Sequence, residues 1–165
     1  KEKIESFAKN GYDDKPERQA FRKMQWRDES FKAFIKDYAQ LNMQDGPFQI
    51  IEDPLGEYQV DLGMIDSAGK IVCLIEVDVW NGWRDKWPSY YKWCHRLGRK
   101  TKYWINNSYP YINVTFNENH NDAIVTTREI ESQYPIKHKW FKVKKMYDDV
   151  REVPISRAIK FGTWS

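Results

Sequence analysis

Cysteine is scarce in this chain, and long apolar runs are absent from it. The 165 residues contain two cysteines, Cys73 and Cys94, which are too few for a disulfide framework and do not form a zinc-binding spacing. No run of about 18 apolar residues occurs, so we expect neither a membrane-spanning segment nor a membrane partner. No signal-peptide pattern occurs either. These absences predict an intracellular, cytoplasmic protein in a reducing compartment.

Internal repeats, linkers and low-complexity runs are also absent. The length suits one domain with a real core and is short for two, so we expect a single domain over residues 1–165. The net charge of +3 is too small to indicate a nucleic-acid partner, because the distribution of basic residues matters more than their sum. Aromatic residues make up 16% of the chain, an excess that mildly favours a surface for stacking on bases or sugars.

Residues 57–80 predict two β-strands joined by a tight turn. Val, Ile, Leu and Tyr dominate both runs, and residues 66–69 supply the turn chemistry. Three carboxylates, Asp61, Glu76 and Asp78, stand where apolar residues would be expected. Because strand side chains alternate between faces, Glu76 and Asp78 should project from the same side of the second strand.

The position of Asp61 depends on the register of this hairpin. With the turn centred on residues 67–68, Asp61 shares the face of Glu76 as a diagonal neighbour, about 7–8 Å away. A one-residue bulge at Gly69 would instead turn Asp61 to the other face. In the first register three acids converge on one patch of sheet, where they repel one another unless a cation lies among them.

A solvated sheet face is the competing explanation for these acids. Acidic residues in strands often lie on the uncovered side of a half-covered sheet. Here Val72 and Leu74 precede Glu76 on its own face, and such apolar flanks favour partial burial. Clustered acids in a partly buried setting point to a functional site.

Helix and strand patterns surround the hairpin. Asp28 is a typical N-cap for a helix, which carries an apolar stripe. We expect further strands at 48–51, 102–105, 111–116 and 122–126 and a helical turn at 128–133. The stripe consists of Phe31, Phe34, Ile35, Tyr38 and Leu41.

A second long helix is predicted from Pro88, because proline suits a first helical position and apolar residues follow at helical spacing. Tyr90, Trp93, Cys94 and Leu97 form that apolar set. Another face of the same helix would carry a basic stripe of Lys92, Arg96 and Arg99.

Residues 137–145 form the most basic stretch, and aromatic residues are interleaved in it. Lysines on a solvated edge strand explain much of this pattern, since they protect sheet edges from aggregation. Contact with a phosphate backbone is the competing use. The stretch lies in a basic C-terminal extension over about residues 135–165.

The order helix, strand, acidic strand, acidic strand, helix, strand resembles the core of the PD-(D/E)xK nuclease superfamily, over about residues 28–127. In that family an Asp near the start of the second strand is followed by an acid-x-Lys in the third. Asp61 matches the first position and Glu76 the second, while Asp78 stands where Lys is usual. The resemblance implies an α/β, restriction-endonuclease-like fold in which helices flank a central mixed β-sheet.

The resemblance also implies a metal site. Asp61, Glu76, the carbonyl of Val77 and Asp78 would hold Mg²⁺ or Mn²⁺, whose preferred ligands are hard oxygen atoms. Asp78 would bind a second ion or act as the base. Lys92, and less favourably Lys86, would replace the missing motif lysine. The catalytic candidates are thus Asp61, Glu76, Asp78 and Lys92.

Basic and aromatic residues near the acids are candidates for nucleic-acid binding, because such side chains contact phosphates or stack on bases. For each tryptophan the alternative is core packing. The candidates are Trp83, Arg84, Lys86, Arg96, Arg99, Lys139, Lys142 and Lys144.

The pattern therefore predicts a metal-dependent endonuclease that hydrolyses phosphodiester bonds of DNA, with RNA left open and a homodimer as a further expectation. A non-catalytic nucleic-acid-binding module on the same fold is the first alternative, because the motif lysine is missing. A sugar- or protein-binding domain, in which the acids are incidental, is the second.

Overall fold

The computed structural model describes residues 16–39 and 48–164 of the chain. Its helices are α1 (Pro16–Arg27), α2 (Glu29–Tyr38) and α3 (Arg128–Ser132), with 3₁₀ helices at Gly98–Tyr103 and Ile155–Arg157. Its strands are β1 (Gln49–Glu52), β2 (Leu62–Ile65), β3 (Ile71–Trp80), β4 (Trp93–Leu97), β5 (Tyr111–Asn117), β6 (Asp122–Thr127), β7 (Ile136–Phe141), β8 (Met146–Pro154) and β9 (Ile159–Gly162). No helix in these ranges is long and apolar enough to cross a membrane.

The described strands form two sheets. The larger sheet has the order β1-β2-β3-β5-β6-β9 and is mixed, because β3 and β5 are parallel while its other neighbouring strands are antiparallel. The smaller sheet is antiparallel, with the order β4-β8-β7. The predicted α/β class with a mixed sheet is confirmed.

A helical layer covers the apolar face of the larger sheet. Asp28 caps α2 as predicted, since its carboxylate accepts hydrogen bonds from the backbone N–H groups of Ser30 and Phe31. Phe31 is buried against Phe21 and Phe161. Leu41, the last residue of the predicted stripe, lies outside the described residues. The helices thus leave the opposite face of the sheet, which carries the acids, for the second sheet to cover.

The helix predicted from Pro88 is wrong, because the segment forms β4 instead. Cys94 and Arg96 are buried, while Trp93 and His95 are more exposed. This two-residue alternation is the period of a strand. Pairing of β4 with β8 supplies the backbone hydrogen bonds that a helix would have made internally. A long-range partner therefore overrides the local helical spacing.

The strand predicted at 102–105 is also wrong. This stretch lies at the end of the 3₁₀ helix Gly98–Tyr103 and in the turn that follows. The N–H groups of Trp104 and Ile105 both donate to the carbonyl of Thr101, at 3.1 and 3.0 Å. Local turn bonds thus take the place of a strand ladder. The predicted strands at 48–51, 111–116 and 122–126 and the turn at 128–133 are confirmed to within about two residues, the usual uncertainty of element ends. The first strand of the predicted hairpin is shorter than expected, because β2 begins at Leu62 and Asp61 lies just before it.

The C-terminal segment is built into both sheets. β8 lies in the centre of the smaller sheet, between β4 and β7, and β9 extends the larger sheet beside β6. β7 is an edge strand of the smaller sheet, which fits the edge-strand explanation for its lysines.

We predict that Phe31→Ala lowers the free energy of unfolding by about 3–5 kcal/mol, because it leaves a cavity among well-packed rings. Urea unfolding of both proteins measures the difference. Val143→Ala is the control, since Val143 is 97% exposed and its truncation should change stability by less than about 0.5 kcal/mol. Equal losses for the two variants would contradict the assignment of Phe31 to the core.

Candidate acid and lysine site

Asp61 and Glu76 lie side by side where β2 begins. The β2–β3 register pairs Leu62 with Ile75, and a bulge interrupts the ladder nearer the turn. Continued by one residue, this register sets Asp61 opposite Glu76. The backbone N–H of Asp61 donates to Glu76 Oε1 at 3.2 Å, and the N–H of Val77 donates to Asp61 Oδ2 at 3.1 Å. The structure therefore brings the first two acids together, but the unbulged register is wrong. Next to the turn Ile65 pairs with Ile71, as expected for a bulge at Gly69, and the further bulge between Met64 and Ile65 returns Asp61 to the face of Glu76, directly opposite it and not diagonal.

Lys100 completes the cluster from the 3₁₀ helix that follows β4. Its Nζ donates to Asp78 Oδ1 and Oδ2 at 3.0 and 3.1 Å, and it lies 3.6 Å from Glu76 Oε2. The Lys100 side chain is only 14% exposed. A partly buried ammonium group thus bridges two carboxylates on one face of β3, which offsets their mutual repulsion.

Glu76 is the most deeply buried acid of the cluster, with a side chain 4% exposed. Burial first and then the contact with Asp61 raise the pKa of its carboxyl group to about 9, against the opposing effect of Lys100. At neutral pH the buried carboxyl therefore holds a proton when no cation is bound. A buried carboxyl whose pKa is raised by burial and by a neighbouring acid is typical of a functional site.

Two further side chains border the acids. Arg18 of α1 lies with its Nη2 atom 3.7 Å from Asp61 Oδ1, and it also approaches Glu52 and Asp53. Burial and the carboxylates of Glu76 and Asp61 raise the pKa of Tyr103 to about 12. Its hydroxyl group therefore stays protonated beside the site at neutral pH.

Arg96 lies behind this site and not on the surface. It is 2% exposed, and its guanidinium donates to Thr115 Oγ1 and, at 3.1 Å, to the carbonyl of Asn113. In the parallel β3–β5 register Asn113 pairs with Glu76 and Thr115 with Asp78. The prediction that Arg96 contacts phosphate is therefore wrong. Its guanidinium group is buried and joins β4 to the sheet that carries the acids.

Trp83 is likewise corrected as a nucleic-acid contact, because it is fully buried. Its ring packs against Trp87 and Trp164, at centroid distances of 5.1 and 4.9 Å. The alternative of core packing holds for this residue. A buried indole has no free face for a base to stack on.

Lys92 is exposed just before β4, whereas Lys100 follows the other end of that strand. The structure thus brings Lys100, and not Lys92, to the acids. The physical reason is that β4 lies between the two lysines and, as an extended strand, keeps them apart by its full length. The backbone carbonyl of Lys92 accepts a hydrogen bond from the N–H of Ile155.

The other predicted basic contacts lie on the surface, several of them paired with acids. Lys86 is exposed, Arg84 Nε is 2.9 Å from Glu118, and Arg99 Nη1 is 3.6 Å from Asp148. Lys139 donates to Glu152 at 2.9 Å, so a neighbouring acid partly neutralises its charge. Lys142 and Lys144 lie exposed in the turn between β7 and β8.

Within the described part of the chain, no group of three or more His, Cys, Asp or Glu side chains is arranged to hold a metal ion. Asp61 and Glu76 form a pair, and both oxygens of Asp78 face Lys100. The backbone carbonyl of Val77 lies on the side of β3 where the Val77 N–H meets Asp61, because the N–H and C=O of one strand residue point to the same side.

Lys100, Arg18 and Tyr103 are the residues that sequence reasoning missed. Arg18 reaches the site only through the packing of α1, which no local pattern reveals. For Lys100 no local signal was present either, because β4 alternates in burial but not in polarity. Its pairing with β8, which comes much later in the chain, is what makes the segment a strand and places Lys100 beyond its end.

Known proteins add nothing to this geometry. No protein-family model, no curated protein and no solved structure matches the chain. The interpretation of the site rests on its own contacts and charges.

We predict that stability falls with rising pH in the presence of a chelator. The folded state keeps a proton on Glu76 up to about pH 9, whereas the unfolded chain releases it near the ordinary value of about 4.3. The contribution of this proton to the free energy of unfolding is therefore fully present below about pH 4. Above that pH it declines by up to about 1.4 kcal/mol per pH unit, until the pH passes the pKa of the folded state.

Glu76→Gln, which cannot titrate, should show a smaller decline in urea-unfolding free energy between about pH 5 and pH 9. Glu29→Gln is the matched control, since that carboxylate is 82% exposed and should leave the slope unchanged. Parallel pH profiles for the wild type and Glu76→Gln would show that the carboxyl is already ionised at neutral pH.

Proposed function

We propose that this protein is a metal-dependent nuclease that hydrolyses phosphodiester bonds, with DNA as the favoured substrate and RNA left open. One observation carries the proposal: a buried, proton-holding Glu76 beside Asp61, with Lys100 bound to Asp78 on the same face of β3. A buried acid with a raised pKa, beside a second acid and a lysine, is an arrangement that favours a functional site. The restriction-endonuclease-like core is part of the same proposal.

Mg²⁺ or Mn²⁺ fits the donor atoms at this position. Two carboxylates and a strand carbonyl offer hard oxygen ligands, and no thiolate is present among them. Magnesium commonly uses only one or two protein carboxylates and keeps several waters, so a third acid is not required. When bound, such an ion acts as a Lewis acid and lowers the pKa of a water ligand.

The residues then have distinct roles. Asp61, Glu76 and the Val77 carbonyl would hold the ion, and Glu76 would have to be ionised to do so. Asp78 positions Lys100 by accepting two hydrogen bonds from its ammonium group. Lys100 places a positive charge where the phosphate gains negative charge during attack by water, which lowers the barrier most in a site that excludes solvent. Lys100 thus takes the part that the sequence analysis gave to Lys92.

Asp61→Asn and Glu76→Gln should each reduce cleavage more than about 100-fold, since even outer partners of a metal site cost 10- to 100-fold. The assay incubates duplex DNA, single-stranded DNA and RNA with Mg²⁺, Mn²⁺ or EDTA, and circular dichroism checks folding. Cleavage that survives both substitutions or EDTA sinks the proposal. Metal-independent binding without strand breakage would instead support the non-catalytic module, and sedimentation with substrate tests the expected homodimer.

Lys100→Met should reduce the single-turnover rate by about 100- to 1000-fold, the loss typical for one electrostatic donor in an active site. Lys92→Met is the matched control, because it changes the same residue type at the other end of β4. We expect the control to cleave at the wild-type rate. A loss for Lys92→Met with normal cleavage by Lys100→Met would return the catalytic role to Lys92.

A further inference from the structure

The hairpin of β7 and β8 projects beyond the rest of the smaller sheet. β4 pairs only with residues 150–154 of β8, so residues 138–141 of β7 and 146–149 of β8 extend beyond it as a two-stranded hairpin. His138, Trp140, Tyr147 and Asp149, which share one face, are all exposed. A strand rises about 3.3 Å per residue, so β7 alone extends about 20 Å. The outer half of the hairpin is therefore a two-stranded ribbon with one face open to solvent, while on the other face Phe141 packs against His95 of β4 with ring centroids 5.6 Å apart.

Three lysines and one exposed apolar residue form the tip of this ribbon. The four residues Lys142, Val143, Lys144 and Lys145 connect the closing pair of Phe141 and Met146. No ion pair within residues 16–39 and 48–164 joins these three lysines to an acid. Val143 is 97% exposed. The tip thus concentrates uncompensated positive charge at the most distant point of the ribbon.

Aromatic side chains line one face of the same ribbon. His138 stacks on Tyr147 with ring centroids 4.9 Å apart, and Trp140 meets Tyr147 edge-on at 5.1 Å. Trp140 is 51% and Tyr147 58% exposed. These rings are held by one another and not by a core, so each keeps a wide open surface.

Edge protection explains only part of this arrangement. It accounts for Lys137 and Lys139, which lie on the edge strand and reach Glu152 at 3.3 and 2.9 Å. It explains neither the three lysines of the connecting turn nor the exposed aromatic ladder. A large exposed apolar area beside concentrated charge indicates a binding surface.

The stem of the ribbon adjoins the proposed catalytic site. Arg99, beside Lys100 in the 3₁₀ helix, lies 3.6 Å from Asp148 of β8. Lys100 in turn binds Asp78. A polymer bound along the ribbon would therefore pass close to the acids, whereas a small ligand bound at the tip would not reach them.

We propose that the β7–β8 ribbon docks into the major groove of duplex DNA, with the tip lysines on the phosphate backbone. The inference rests on the proposed nuclease function for its choice of nucleic acid as the partner. A B-form major groove is about 12 Å wide and admits a two-stranded ribbon. The major groove of A-form RNA is deep and narrow and excludes side chains. The ribbon therefore selects duplex DNA over duplex RNA.

The test measures binding by fluorescence anisotropy in EDTA, so that no cleavage occurs. The ligands are duplex DNA, duplex RNA and single-stranded DNA of one sequence. The tip variant is Lys142→Ala/Lys144→Ala/Lys145→Ala, and the matched control Lys23→Ala/Lys32→Ala/Lys36→Ala removes the same charge from the helical layer on the other face of the sheet. Circular dichroism checks that each variant folds.

The wild type should bind duplex DNA at least about tenfold more tightly than duplex RNA. The tip variant should lose about tenfold or more on duplex DNA, and its slope of log affinity against log salt should fall by about 2 to 3, since each phosphate contact contributes about 0.9. The control variant should keep most of the affinity and slope.

Unchanged duplex binding by the tip variant, or equal wild-type affinity for duplex DNA and duplex RNA, would overturn the inference. So would a tip variant that loses affinity for vesicles of anionic phospholipid while keeping its affinity for DNA. Cleavage in Mg²⁺ is assayed separately. If the protein cleaves DNA but its binding does not depend on the tip lysines, only the ribbon inference is refuted. If it binds duplex DNA through the tip and never cleaves it, only the nuclease proposal is refuted.

Discussion

The contact between a buried carboxyl and an ammonium group organises the centre of this protein. Glu76 lies in the interior beside a second acid, where an unshared negative charge is costly. Lys100 offsets part of that cost, and the proton on Glu76 offsets the rest. The position remains stable only while β4 and its 3₁₀ helix cover this face of the sheet.

Arg96 links that cover to the sheet. Its guanidinium satisfies hydroxyl and carbonyl acceptors on β5 and β6, so two sheets with polar facing surfaces can pack without leaving those acceptors unpaired. The same contact fixes the position of β4, and the 3₁₀ helix that follows β4 carries Lys100. A residue with no direct part in the chemistry thus positions one that the proposed chemistry needs.

The larger sheet separates two kinds of core. Helices α1 and α2 cover one face with rings such as Phe21 and Phe31, and this side provides apolar stability. The other face carries acids, amides and hydroxyls beside smaller apolar clusters, which include Leu74 and Ile124. Such a division allows polar groups to be buried on one side of β3, since the apolar packing on the other side compensates for their desolvation.

Much of the larger sheet followed from local pattern. The hairpin, the cap at Asp28, and the strands around residues 111–116 and 122–126 have alternation, turn residues or capping chemistry that act over a few positions. The segment from Pro88 did not follow, because its helical spacing is real but its partner, β8, comes much later in the chain. Strand pairing over such a distance leaves no local trace.

The sequence alone determined that Glu76 and Asp78 share one face of a strand, since the alternation of side chains depends only on neighbours. The face on which Asp61 lies depended on the register of the hairpin, which the structure set with a bulge. The tertiary structure decided what surrounds these acids. It brought Lys100 and Arg18 to the acids, drew Trp83 and Arg96 inside, and left the lysines at the tip of β7 and β8 in solvent. Burial and charge pairing depend on which segments pack together, and packing is a property of the whole chain.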